Sequence, residues 1–158
     1  MPEITHRFGR LLAQHAADRL MGRSATAEAG RRLVPSGAAW EQVVGYSRAV
    51  RVGPWVSVAG TTAATADGGA VGGGDLSAQT REALRRVRVA LHDAGAGFEQ
   101  VVRTRMFVTD ISRWEEAGRV HAEVFGDIRP ATSMVEVSRL IDPALLIEVE
   151  VEADAFVL

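Results

Sequence analysis

The chain contains no cysteine, and that absence removes disulfides, thiolate nucleophiles and Cys-ligated zinc together. It contains no lysine either: all 18 basic residues are arginine. Imine chemistry through an enzyme amine is therefore excluded, while the arginine bias itself reads as the mark of a GC-rich genome. No apolar run approaches the roughly 18 residues that a membrane helix needs. The N-terminus lacks the short apolar core of a signal peptide, so a cytoplasmic protein with no membrane partner is the simplest expectation. The formal charge of -2 supplies no basic stripe for nucleic acid.

What is present is one domain's worth of chain, 158 residues with 47% apolar and 24% charged side chains, enough to bury about two-thirds of its unfolded surface without staples. Residues 1–30 read as a separable N-terminal arm, partly helical or flexible: Leu11, Leu12, His15 and Leu20 fall near helical spacing, and Gly22, Ser24, Thr26 and Gly30 follow as a linker. His6 and His15 are nine apart and no carboxylate pairs with them at i,i+4, which makes them surface histidines rather than metal ligands.

Residues 31–158 have the texture of a single sheet-and-helix domain. Short strands are expected at RRLV, at SRAVRVG (47–53) and at WVSVAG (55–60), the last two joined by a tight turn at Gly53-Pro54. TADGGAVGGGD (65–75) is a glycine-rich β-to-α loop. Without lysine it is no Walker loop. Asp75 or Ser77 caps a helix from about Leu76 to Ala94, with Leu84, Val87, Leu91 and Ala94 on one stripe.

VVRTRMFVTD (101–110) is the next strand, its Val102, Met106 and Val108 set against Arg103, Arg105 and Phe107 on the other face. Asp110 or Ser112 caps a second helix through about Phe125, whose apolar side comprises Trp114, Ala117, Val120, His121, Val124 and Phe125. ATSMVEV and LLIEVEVEADAFVL, separated by a turn at Ile141-Asp142-Pro143, complete the order β-β-β-α-β-α-β-β. That is an α+β sheet of about six strands with two helices on one face. In the last strand Glu148, Glu150 and Glu152 alternate with Ile147, Val149 and Val151. Three carboxylates on one strand face repel unless they are exposed, paired with arginine or lining a polar cavity, and a cleft between subunits meets the last two conditions.

The segments RPATSMVEVSRL and LIEVEVEADA, with VVRTRMFVTDISRWEE and GYSRAVRVGPWVSVAG upstream, resemble the Rid family, the RidA or YjgF-like reactive intermediate deaminases. The resemblance implies a chorismate-mutase-like fold and a homotrimer whose sheets face one another around a barrel, with three inter-subunit clefts. It also implies hydrolysis of small enamines or imines such as 2-aminoacrylate, without metal or organic cofactor, with a small metabolite as partner and no nucleic acid. In active members an arginine directly after a Pro-Ala pair grips the substrate carboxylate, and a glutamate on the last strand positions the attacking water.

Carried onto this chain, the Pro-Ala pair is Pro130-Ala131 and the arginine's place is held by Thr132. A hydroxyl there replaces a charged, planar, bidentate fork. Thr132 is thus either a pocket hydroxyl or an edge-strand threonine, flanked by Ser133 and Met134 as candidate substrate contacts. The water-handling glutamate falls on Glu148 or Glu150, and Tyr46, Ala59, Gly60 and Thr61 match the family's tyrosine and its strand-end donors. Gly118 stands where an asparagine is frequent.

Trp114 and Phe107 are further candidate pocket residues. Arg105 either supplies the missing cation or pairs with one of the glutamates, Arg129 and Arg139 being alternatives, with Arg129 read as a turn position. His121 is expected to pack beside the sheet. The expected function is hydrolytic deamination of a small enamine or imine at an inter-subunit cleft. The alternatives are a trimer that binds a small metabolite without turnover, or a biosynthetic enzyme that dehydrates, tautomerises or cyclises in the same cleft.

Overall fold

A computed structural model describes residues 30–157; the N-terminal arm expected over residues 1–30, with His6 and His15, lies outside the described residues except for Gly30. In chain order the elements are β1 (Arg31–Val34), α1 (Ala39–Val44), β2 (Ala49–Val52), β3 (Trp55–Thr61), α2 (Leu76–Asp93), β4 (Val101–Val108), α3 (Trp114–Phe125), β5 (Ala131–Glu136) and β6 (Ile147–Asp154). The strands form one sheet in the order β1-β2-β3-β6-β4-β5. β3 pairs antiparallel with β2 and β6, β4 antiparallel with β6, and β5 parallel with β4.

The alternation of side chains sorts the sheet into two faces. Val56 and Val58 of β3, Met106 and Val108 of β4, and Ile147, Val149, Val151 and Ala153 of β6 are buried, as are Leu84, Val87 and Leu91 of α2 and Ala117, Val120 and Phe125 of α3; together they make one core. Burial of each large side chain there is worth about 1.5–3 kcal/mol. This is the face the helices cover. The opposite face carries Trp55, Ser57, Arg103, Arg105, Phe107, Glu148, Glu150 and Glu152, as the strand registers require.

Local chemistry fixes the helix ends. The Asp75 carboxylate accepts from the Ala78 amide at 2.9 Å and caps α2. At its C-terminus Arg51 reaches across from β2, its Nη1 donating to the carbonyls of Ala94 (3.0 Å) and Gly95 (2.9 Å), groups that a helix end leaves without intrahelical partners. Asp110 rather than Ser112 supplies the other cap, its carboxylate accepting from the Ser112 amide at 3.0 Å to start the short 3-10 turn Ile111–Arg113 before α3.

Three local features differ from the sequence expectation. α1 is additional; none of its residues is buried, so it carries no apolar stripe to betray it. Its bounds come instead from Ser36, whose amide and hydroxyl both donate to Glu41 Oε1 at 2.7 Å, and from Gly45, which takes φ 77° and closes the turn with its amide on the Glu41 carbonyl. Val101, not Val102, enters the core, because a register shift between Val101 and Arg103 inserts one residue against β6. Trp114 opens α3 at 54% exposure rather than packing on its apolar side.

The glycine-rich loop is tied to the sheet by one amide side chain. Gln79 is fully buried; its Nε2 donates to the carbonyls of Gly73 (2.6 Å) and Ala144 (2.8 Å), and its Oε1 accepts from the Leu146 amide (2.9 Å). The loop before α2 and the segment leading into β6 are therefore held to one another. Gly72 allows the approach, since a Cβ on it would stand 2.6 Å from that of Ala78, and its φ is 86°. Beyond β3, Arg86 Nη1 donates to the carbonyls of Thr62 (3.0 Å) and Ala64 (2.9 Å) and is itself held by Glu82 at 2.6 Å. Arg85 and Arg86 together push the Glu82 carboxyl down to about 2.

Candidate active site

The site begins with an irregularity in the sheet. Between the pairs Val58↔Val151 and Thr61↔Val149 the register shifts, so Ala59 and Gly60 of β3 stand against Glu150 alone. Such a bulge re-aims the strand and breaks the ladder locally. Into the space beside it comes Glu148 from β6: a Cβ at position 60 would overlap Glu148 Oε1 and lie 2.7 Å from its Cδ. The carboxyl is seated on the glycine Cα, where no other residue leaves room for it.

Electrostatics single out the same group. Burial pushes the Glu148 carboxyl above its ordinary 4.5, the negative charge of Glu150 pushes it further, and Arg48 opposes both. Glu150 belongs to a different network. Arg105 lies 3.5 Å from Glu150 and 2.9 Å from Glu152, and Arg103 approaches Glu152 at 3.7 Å. The three glutamates do share one face, and two of them are answered by arginines directly across on β4. Arg105 thus pairs with both Glu150 and Glu152.

On the other side of the bulge lies Arg48, which sequence reasoning missed. Its Nη1 donates to Gly60 O (2.6 Å), to Thr61 Oγ1 (3.0 Å) and to Ala59 O (3.3 Å); its Nη2 donates to the Tyr46 hydroxyl at 3.2 Å, and the guanidinium lies 5.5 Å from the Tyr46 ring centroid. Thr61 is 97% buried (3% exposed) and its hydroxyl donates to Ala59 O at 2.7 Å. It locks the bulge instead of facing outward. Tyr46, Ala59, Gly60 and Thr61 are accordingly brought together around Arg48, with Glu148 against Gly60. Nothing local in the sequence marks it: Arg48 lies just before β2 (Ala49–Val52), which carries an arginine of its own, Arg51.

Thr132 is elsewhere. It pairs with Thr104 across the parallel β4–β5 register, and Thr104 is fully buried on the helix-covered side. Its Oγ1 donates to the Pro130 carbonyl at 3.0 Å and lies 2.9 Å from Thr104 Oγ1, which in turn lies 3.0 Å from His121 Nε2. Each hydroxyl has one proton to give. With that of Thr132 spent on Pro130, Thr104 donates to Thr132 and His121 donates to Thr104, which fixes the imidazole as the Nε2–H tautomer. Burial lowers the His121 pKa from 6.5 and keeps the ring neutral, and the ring packs 4.7 Å from that of Phe125. His121 does pack beside the sheet, as expected. Arg129, just before, takes φ 53° with its amide on the Phe125 carbonyl at 2.8 Å, a turn position at the end of α3.

The remaining candidates divide between the faces. Ser133 registers with Arg105, and Phe107 with Glu148, on the glutamate face. Met134 registers with Met106 and packs against the core. Trp114 is exposed beside Gly118, where a Cβ would be in ordinary contact at 3.6 Å from the indole. A groove of about 270 Å³ lined by Arg81, Leu84, Arg85, Arg88, Phe98, Val120 and Val124 lies between α2 and α3 on the opposite side of the sheet and contains none of these residues.

Comparison with known proteins gives consistent results. The family model described as Endoribonuclease L-PSP matches residues 36–155. An uncharacterized protein of Streptomyces coelicolor is 42% identical over 128 residues, 81% of this chain and 94% of that protein. A RutC family protein of Pyrococcus abyssi is 33% identical over 111 residues, 70% of this chain and 85% of its own length. Among solved structures, a member of the YjgF/YER057c/UK114 family from Mycobacterium tuberculosis superposes with a TM-score of 0.72 at 58% identity, covering 79% of this chain and 99% of that one.

Proposed function

The chain belongs to the endoribonuclease L-PSP family, the group of YjgF, RutC and Rid proteins, and on that premise we propose that it hydrolyses a small enamine or imine to the carbonyl compound and ammonia. The observation that carries the reading is the Glu148 carboxyl seated on the bulge at Gly60 with its pKa pushed up. A general base works best when its pKa lies near the working pH.

The steps follow from that one carboxyl. Glu148 takes a proton from a water molecule as the water oxygen bonds to the iminium carbon, and the C=N electron pair moves onto nitrogen. It then hands the proton to nitrogen and accepts the hydroxyl proton as the C–N bond breaks. Ammonia leaves, C=O remains, and the carboxyl returns its proton to solvent. Glu148 fills the water-handling role rather than Glu150, whose charge is engaged by Arg105. No metal or organic cofactor enters.

The working form is a cytoplasmic homotrimer built from residues 31–158, the first 30 being an arm outside the catalytic unit. The uncovered sheet face supports this, since it leaves Trp55, Val52 and Val135 about half exposed beside the arginine–glutamate network. Among the described residues no helix is long and apolar enough to cross a membrane. Ammonia release from imino acids generated enzymatically in the cuvette tests the activity, with an arginine-bearing Rid enzyme as positive control; a rate no higher than buffer would sink it.

One observation favours a second reading, a trimer that binds a small metabolite without turnover. Thr132 brings no guanidinium to the place where active relatives have one, and its hydroxyl is committed to the Pro130 carbonyl and Thr104. A thermal-shift screen of keto acids, amides and aromatic amines separates the two, because a ligand raises the melting temperature by mass action whether or not it is consumed.

A further inference from the structure

We propose that Arg48 is the specificity residue of this site and holds a carboxylate on the ligand through its Nε–H and its second Nη2–H. The inference rests on the bulge at Gly60 being where the ligand binds. Both Nη1 donors and one Nη2 donor are already spent, on Gly60 O, Thr61 Oγ1, Ala59 O and the Tyr46 hydroxyl. The Nε–H and the other Nη2–H have no acceptor among the described residues. They lie on adjacent nitrogens of one plane, the donor set that takes the two oxygens of a carboxylate.

Three further observations point outward to a ligand. First, no buried side-chain nitrogen or oxygen among the described residues lacks a partner, so Nε, which has none, keeps some exposure to solvent. Second, the partners of Arg48 are all neutral, and no carboxylate among the described residues lies within 4.0 Å of it. It therefore forms no ion pair among the described residues, unlike Arg103 and Arg105 on the same sheet, and Glu148 and Glu41 feel its charge only at longer range. Third, the guanidinium is immobilised by four acceptors and the Tyr46 ring, so little further ordering is needed when an anion docks. Arg48 and Glu148 flank the same glycine, which places an anionic group on one side of the bulge and the attacking water on the other.

The test is a pair of ligands that differ only in charge, pyruvate and pyruvamide, titrated calorimetrically into the wild-type protein, Arg48→Gln and Arg48→Lys. The wild type is expected to prefer pyruvate by about tenfold or more, as a charge-assisted bidentate pair implies. Arg48→Gln should abolish the preference, and Arg48→Lys should retain part of it. The ratio within one variant is insensitive to a general loss of stability. Should the variants not fold, the Arg48 15Nε–H resonance of the wild type is followed during the pyruvate titration; a shift saturating with binding supports the assignment. A preference that survives in folded Arg48→Gln, equal binding of the two ligands by the wild type, or an unmoved Nε–H resonance overturns it. Because these readouts need no turnover, a wild type that prefers pyruvate but releases no ammonia would sink the hydrolase and leave the role of Arg48 standing. Ammonia release with no carboxylate preference would do the reverse.

Discussion

The carboxyl of Glu148 occupies the place where a side chain on Gly60 would begin, its Cδ 2.7 Å from that point. A methyl group there cannot be accommodated without moving the carboxyl, because the bulge carbonyls on the other side are pinned by Arg48. Gly60→Ala is therefore expected to lower kcat/KM by about 100-fold, the low end of what a displaced general base costs, with the far-UV spectrum unchanged. A steady-state assay of ammonia release beside circular dichroism checks it.

The raised pKa of Glu148 has a defined effect on stability. The folded chain holds that proton to higher pH than the unfolded chain, whose carboxyl titrates near 4.5, so folding binds protons in the interval between the two values. Stability then declines as pH rises through that interval and stays lowered above it. Glu148→Gln abolishes the titration. Its melting temperature should climb relative to wild type between pH 4 and 7, and a constant difference across that range would refute the environment described for Glu148.

His121 gives the opposite sign on the other side of the sheet. Its pKa is depressed from 6.5 by burial, so the unfolded chain binds the proton first and stability falls as pH drops below about 6.5. His121→Gln should flatten the melting temperature against pH between 5 and 7. In the same chain of hydrogen bonds, Thr132→Val leaves the buried Thr104 hydroxyl without its acceptor and is expected to cost about 1–3 kcal/mol in urea unfolding.

Much of this fold was legible because its signals are periodic. The alternation of Val56 and Val58, and of Ile147, Val149 and Val151, specified which face of each strand is buried, and the stripe Leu84, Val87, Leu91 specified the inward side of α2. The strand order and the parallel β4–β5 pair carry no such local mark; they depend on which distant partners meet. α1 escaped because a single exposed turn has no apolar stripe, although Ser36 and Gly45 bracket it.

The site was legible in part for the same reason. Tyr46, Gly60 and Glu148 are matched by a motif, whereas the role of Arg48 arises only when the bulge turns two consecutive carbonyls toward it. The orientation of Thr132 toward Thr104 and His121 follows from the register of β5, and one residue of slip would have sent it to the glutamate face.

Gln79 supplies a test of the scaffold apart from the chemistry. Replacement by leucine leaves the Leu146 amide and the carbonyls of Gly73 and Ala144 without the partner they have now. Gly73 and Ala144 are exposed and Leu146 half-buried, so water can replace the lost partner and each bond counts for about 0.5–1.5 kcal/mol. Gln79→Leu should lower stability by about 1.5 kcal/mol or more in a urea titration, and its susceptibility to proteolysis should rise first in the loop 65–75 and in the segment 141–146.

The most direct test of the central claim is the rate of ammonia release from a freshly generated small imine by wild type and by Glu148→Gln at neutral pH. The account predicts a wild-type rate well above buffer and a fall of about 100-fold or more in the variant, with both proteins folded. A wild-type rate indistinguishable from buffer, or a variant as fast as the wild type, would contradict it.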